Sequence, residues 1–261
     1  MSGRAYVAIT ASVSGDVATL TMNRPERRNA IGPRMINELL WALKDASEDA
    51  AVRTVVLTGA GKTFCSGGDF AEMSAGGGDD PLPVLGDYPA LLLALMRSKK
   101  PIVARVNGHA MGGGLGLVAA STFAIASTDA QLGTPEVDVG LFPMMIMAVL
   151  AKHVPRRRLL EMMLFGERIS ADEAAALHLL NRAVPAAELD AALTAVTEKV
   201  AKKSAITIAL GLDAFAAQDD LAVADALPML RERLAAVLAT DDAREGLTAF
   251  LEKRAPKWTG K

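Results

Sequence analysis

The sequence predicts an α/β protein: a layered sheet-and-helix core over roughly the first 140 residues, then a mostly helical remainder. Three observations carry this. β-Branched apolar runs at 54–58 and 102–106 each end in a glycine-rich turn that leads into a segment able to start a helix. Strand and helix patterns alternate up to about residue 140, which favours right-handed crossovers on a mostly parallel sheet. From about Met144 onward the apolar spacing is helical almost throughout.

Residues 6–22 alternate around Ser14-Gly15-Asp16, the pattern of a β-hairpin. Asn23 to Ala30 is a polar connection. Pro33 then opens a helix on which Met35, Ile36, Leu39, Leu40 and Leu43 recur at helical spacing. Ser74 to Asp87, with four glycines, two prolines and three aspartates, reads as a mobile loop long enough to be functional. A leucine-rich helix from about Tyr88 to Ser98 precedes the strand at 102–106. The second glycine turn starts a small-residue helix at 113–120, and Phe123 to Ala126 is another strand. Helices are expected at 144–153, 156–165, 171–177 and 186–203, with three more to Lys253.

With 261 residues, 51% of them hydrophobic, the chain can bury a sizeable core. A net charge of −2 gives no basic surface for nucleic acid. Cys65 is the only cysteine, which excludes an intrachain disulfide and suits a reducing compartment. The histidines are scattered, so no metal site is expected. Met1 to Tyr6 lacks the apolar core of a signal peptide. Leu141 to Ala151 is too short to span a bilayer and contains Pro143. The expectation is a cytoplasmic protein with neither a membrane nor a nucleic-acid partner.

Two tempting motifs fail on spacing. Gly59-Ala60-Gly61-Lys62-Thr63 looks like the end of a phosphate-binding loop, but the glycine required at position 56 is Val56. The glycines at 108–116 match no dinucleotide register, and no acid at a strand end follows at the needed distance. Cys65 neighbours no recognisable base and reads as a buried small residue. His109 reads as a packed or surface histidine, and Arg156-Arg157-Arg158 as the solvated start of a helix.

The two glycine turns themselves remain: Phe64-Cys65-Ser66-Gly67-Gly68-Asp69 and Asn107-Gly108-His109-Ala110-Met111-Gly112-Gly113-Gly114. Strand, glycine turn and helix N-terminus together present bare N–H groups to negative charge. Two such turns in one domain can aim a pair of amides at one oxygen, the construction of an oxyanion hole.

These stretches resemble the crotonase, or enoyl-CoA hydratase/isomerase, superfamily, and other pieces in the same order extend the likeness over nearly the whole chain. They are Leu20 to Pro25, Asn29-Ala30, Val55 to Gly59, Lys100 to Ala104, Pro135 to Gly140, Gly166 to Ala171 and Ala249 to Arg254. The resemblance implies a crotonase-like spiral of ββα units over residues 1–200. It also implies a C-terminal α-helical trimerisation region at 201–261, and a homotrimer or dimer of trimers. It implies an acyl-CoA thioester substrate, no separate cofactor, and chemistry through a thioester enolate. The oxyanion amides then belong to Gly68 and Gly113, and the catalytic carboxylate to Glu136. Substrate and CoA contacts fall to Arg28, Ala30, Ser66, Gly67, Asp69, Phe70, Gly112 and Pro135, with Lys253 reaching over from a neighbouring subunit. Arg24 and Arg27 are further candidates for the CoA phosphates, and Met73 for the border of the acyl pocket.

One departure matters most. Many family hydratases carry a second glutamate two residues after the triple glycine, and here that position is Gly116. Family members that move a double bond from the 3- to the 2-position keep only the acid that matches Glu136, as this chain does, so isomerisation is the leading expectation. Hydration using Glu136 alone and a non-catalytic acyl-CoA-binding paralogue are the alternatives. The dienoyl isomerases use acids at the positions of Gly116 and Met144, and both are missing here. Asp138, two residues from Glu136, would share its face if the segment were extended, but it reads first as a surface or capping carboxylate. Asp69 reads as a helix N-cap rather than a base.

Overall fold

The computed structural model of the protein describes residues 4–74 and 81–261. Most of the glycine-rich part of the loop expected at 74–87 therefore lies outside the described residues.

The hairpin is formed by β1 (Ile9–Ser14) and β2 (Val17–Met22), antiparallel with Ile9 opposite Met22. Pro33 starts α1 (Pro33–Glu48), whose Met35, Leu39, Ala42 and Ala46 are buried. Burying a side chain the size of Met35 or Leu39 contributes about 1.5–3 kcal/mol. On the same helix the buried Glu38 carboxylate accepts hydrogen bonds from the N–H groups of Val7, Ala8 and Ile9 at 3.0, 2.8 and 3.1 Å. That contact fixes the chain entering β1.

The core then repeats one unit. A strand enters a large sheet, a short strand crosses to a small one, and a helix returns. β3 (Thr54–Gly59), β4 (Thr63–Cys65) and α2 (Phe70–Ser74) make one turn. After α3 (Tyr88–Met96), β5 (Ile102–Val106), β6 (His109–Met111) and α4 (Gly113–Ala120) make the next. β7 (Phe123–Ser127) and β8 (Gln131–Gly133) begin a third, closed by a 3₁₀ turn at Pro135–Val139 and α5 (Met144–Leu150).

Continuing, α6 (Arg156–Phe165) leads to β9 (Arg168–Ser170), α7 (Ala171–Ala176) and β10 (Arg182–Val184). The large sheet has the order β1-β2-β3-β5-β7-β10 and is parallel from β2 onward. The small sheet has the order β4-β6-β8-β9, with β9 antiparallel. This is the expected spiral of ββα units. β3 is buried along its whole length, as a central parallel strand covered on both faces must be.

The chain ends in helices: α8 (Leu189–Ala201), α9 (Ala205–Gln218), α10 (Val223–Leu238) and α11 (Asp241–Leu251). Ser170, Ser204 and Thr240 cap α7, α9 and α11 with side-chain oxygens that accept from the N–H three residues on. No helix among the described residues is long and apolar enough to cross a membrane.

Candidate active site

The two glycine turns are brought together by strand register. β4 and β6 run parallel with Cys65 paired to Ala110, and Gly68 and Gly113 each lie three residues beyond that pair. The turns touch where they leave the sheet: a β-carbon built on Gly67 would sit 3.4 Å from Met111 O and 4.0 Å from Gly112 Cα. Gly67, Gly112 and Gly114 are buried, whereas Gly68 and Gly113 remain partly open.

Both open glycines have spare N–H groups. Ile31 donates to Gly67 O at 2.8 Å and accepts from Asp69 N at 2.9 Å, so the parallel bridge uses the groups on either side of Gly68. The N–H of Gly68 itself therefore faces away from that bridge. Gly113 is the first residue of α4, where a backbone N–H has no partner within the helix. Neither N–H has a hydrogen-bond partner among the described residues. Gly112, at φ +50° and ψ −122°, adopts a backbone conformation that side chains rarely allow, and its own N–H is held by Gly133 O at 2.9 Å.

Glu136 comes from the opposite side. Thr134 O γ1 donates to Met162 O at 2.9 Å, fixing the residue that precedes the 3₁₀ turn, and Leu141 N closes onto Glu136 O at 3.0 Å. A β-carbon on Gly112 would lie 2.8 Å from Glu136 Oε1, so the carboxylate sits against the peptide that carries the Gly113 N–H. Glu136 Oε2 is buried and has no hydrogen-bond partner. Burial raises the pKa of this carboxyl, although its own backbone N–H pulls the other way.

A cleft of about 480 Å³ opens in front of this arrangement. Of the predicted contact residues, Arg28, Ala30, Ser66, Gly68, Asp69, Phe70 and Pro135 line it. Gly67, Gly112, Gly113 and Glu136 are not among its lining residues, although their chain neighbours Ser66, Gly68, Met111 and Pro135 are. Lys253 lies at the exposed end of α11 and does not line this chain's cleft. Met73, like Phe70, stands beside Gly68, with its sulfur 3.6 Å from where a β-carbon on that glycine would lie. Cys65 is buried, and desolvation pushes its thiol up to about 12, so it is no nucleophile at neutral pH.

The arginines divide. Arg24 pairs with Glu72 at 2.5 Å and Asp69 at 3.4 Å, and Arg27 with Asp69 at 2.7 Å. Arg28 has no such partner among the described residues and is exposed at the cleft. Asp69 Oδ1 also accepts from Glu72 N at 3.1 Å, the expected N-cap of α2. Burial would raise the Asp69 pKa, but the Glu72 N–H and the two guanidinium groups outweigh it and hold the carboxyl below its usual value.

Asp138 is a surface carboxylate, as its sequence reading favours. The Pro135–Val139 segment is a 3₁₀ turn rather than extended, so residues two apart do not share a face; Asp138 is exposed and packs toward Gly166. Sequence reasoning also left out Arg168 as a lining residue, and it left out Tyr88. The Tyr88 hydroxyl donates to Gly113 O at 2.5 Å, a contact across 25 positions that no local pattern signals. His109 lines the cleft, exposed, with Nδ1 accepting from Gln131 N at 3.0 Å.

A spiral of ββα units, with two glycine turns set side by side by parallel strand register, defines a crotonase-type α/β protein. The family model for enoyl-CoA hydratase/isomerase matches residues 12–261, and the chain belongs to that family and is an enzyme of its lyase and isomerase type. Human enoyl-CoA hydratase domain-containing protein 3 is 32% identical, over 93% of this chain and 80% of the relative. Its crystal structure superposes with a TM-score of 0.90 at 31% identity, covering 97% of this chain and all of that one. The crystal structure of a Mycobacterium smegmatis enoyl-CoA hydratase gives 0.88 at 34% identity, covering 97% and 99%.

Proposed function

We propose that the protein moves the double bond of a 3-enoyl-CoA thioester to the 2-position through an enolate held by two backbone amides. Glu136 removes a proton from C2, and the electron pair spreads to the thioester oxygen, where the N–H groups of Gly68 and Gly113 receive it. The carboxylic acid so formed returns the proton to C4. No atom is gained or lost, and one acid suffices for both transfers. Coenzyme A is part of the substrate, and no separate cofactor is required.

A single observation carries the reading. Glu136 Oε2 is buried without a partner beside the Gly112–Gly113 peptide, while position 116 offers no second acid. In this reading Arg28, Ala30, Ser66, Gly67, Asp69, Phe70, Gly112 and Pro135 frame the thioester and its CoA portion, and the raised pKa of Glu136 suits a proton carrier. A second reading, addition of water to a 2-enoyl thioester with Glu136 serving twice, is favoured by the hydratase names of the relatives. Incubation with 2-enoyl and 3-enoyl thioesters separately discriminates them. Isomerisation predicts a double-bond shift without a 3-hydroxy product as the faster reaction.

The same proposal assigns residues 201–261 to self-association as a trimer or dimer of trimers, with Lys253 serving the site of a neighbouring copy. Leu227, Leu247, Phe250 and Leu251 on α10 and α11 are 60% or more exposed, apolar surface that a lone chain leaves in water.

A further inference from the structure

The space beside Gly116 is occupied. A β-carbon there would collide with the Tyr88 hydroxyl and lie 2.5 Å from Ile146 Cγ2. Tyr88, on the first turn of α3, is buried, and its oxygen donates to Gly113 O at 2.5 Å. A β-carbon on Gly113 would meet the same phenol at 3.5 Å, so the ring end lies against Gly113 and Gly116 of α4. Burial, then the neighbouring Cys65 and Glu136, keep the phenol protonated as a donor.

We propose that Tyr88 is a positioning residue for the oxyanion site: its hydroxyl clamps the first turn of α4 through Gly113 O, and its ring end fills the volume a side chain at 116 would need. The proposal rests on the enolate reading above. It explains why the site lacks a second acid in steric terms. A glutamate at 116 has no room while the phenol and Ile146 stand where they do. The orientation of the Gly113 N–H depends on the turn that the phenol holds, so loss of the hydroxyl acts on the developing enolate more than on ground-state binding.

Tyr88→Phe keeps the ring and removes the clamp. The probe is a dimethylaminocinnamoyl thioester of coenzyme A, whose absorption moves to longer wavelength as its carbonyl is polarised. The wild-type protein should shift the band, and Tyr88→Phe should shift it less. With a 3-enoyl thioester, loss of one such hydrogen bond should lower kcat about 3- to 10-fold, with KM changed less than about twofold. Gly116→Ala, whose methyl group would displace the phenol, should give the same result by a second route. A full band shift and full kcat in either folded variant would overturn the role of Tyr88 while leaving the enolate reading intact. Absence of any shift in the wild-type protein would overturn both.

Discussion

Glu136 Oε1 stands 2.8 Å from the point a β-carbon on Gly112 would occupy, so carboxylate and glycine backbone are in direct contact. Gly112 is thereby excluded from carrying any side chain, both by its φ of +50° and by the acid above it. Gly112→Ala should fold with reduced stability and lose roughly 10²–10³ in kcat, the cost of misplacing one oxyanion donor. Steady-state kinetics beside a thermal melt separate the two effects; a stable, fully active variant contradicts this placement.

Glu136→Gln should remove turnover by about 10²–10⁴ while the affinity for a saturated acyl-CoA stays within a few-fold. Isothermal titration of the variant checks the binding half. A proportionate loss of affinity would mean that the carboxylate binds substrate instead of moving protons.

The pH dependence has a definite sign. The folded-state pKa of Glu136 lies above its ordinary value of 4.5, because burial penalises the charged form. Its contribution to stability is therefore fully present below the unfolded value and is lost as pH rises through the folded one. Glu136→Gln should melt above the wild type at neutral pH, with the gap closing toward pH 4.5. The acid limb of the wild-type rate profile should likewise lie above 4.5, since the base works ionised.

Asp69 should prove structural. Its carboxylate caps α2 and binds Arg27, so Asp69→Ala, which removes the cap, should cost about 0.5–2 kcal/mol of stability. The pH–rate profile should keep its shape. A displaced acid limb would make Asp69 part of the proton path.

Self-association is tested by Phe250→Glu, which places a charge at a position 81% exposed on α11. Light scattering should find a smaller species than in the wild type. An unchanged mass would remove α11 from the interface.

Local sequence signals reached the long elements and stopped at the short ones. The hairpin, α1, the strands at 54 and 102 and the helix at 113 follow from alternation, 3.6-residue spacing and glycine turns. The three-residue strands β4, β6, β8 and β9 carry too few residues to show alternation, yet they form the second sheet and fix the register that matches Gly68 with Gly113. Glu136 was legible through its motif, but its partnerless oxygen was not, because burial there depends on packing from distant elements. Arg24 shows the same limit. Its charge suggested a phosphate partner, whereas the fold presents Glu72 from 48 residues away. The glycine-rich segment read as a loop falls largely outside the described residues.

The most direct measurement is deuterium exchange at C2 of a saturated acyl-CoA in heavy water, followed by mass spectrometry for the wild type and Glu136→Gln. Exchange needs only proton removal and a stabilised enolate, with no double bond to shift and no water to add. Label entering with the wild type and failing to enter with the variant is the predicted result. Equal labelling by both proteins, or none by the wild type, would contradict it.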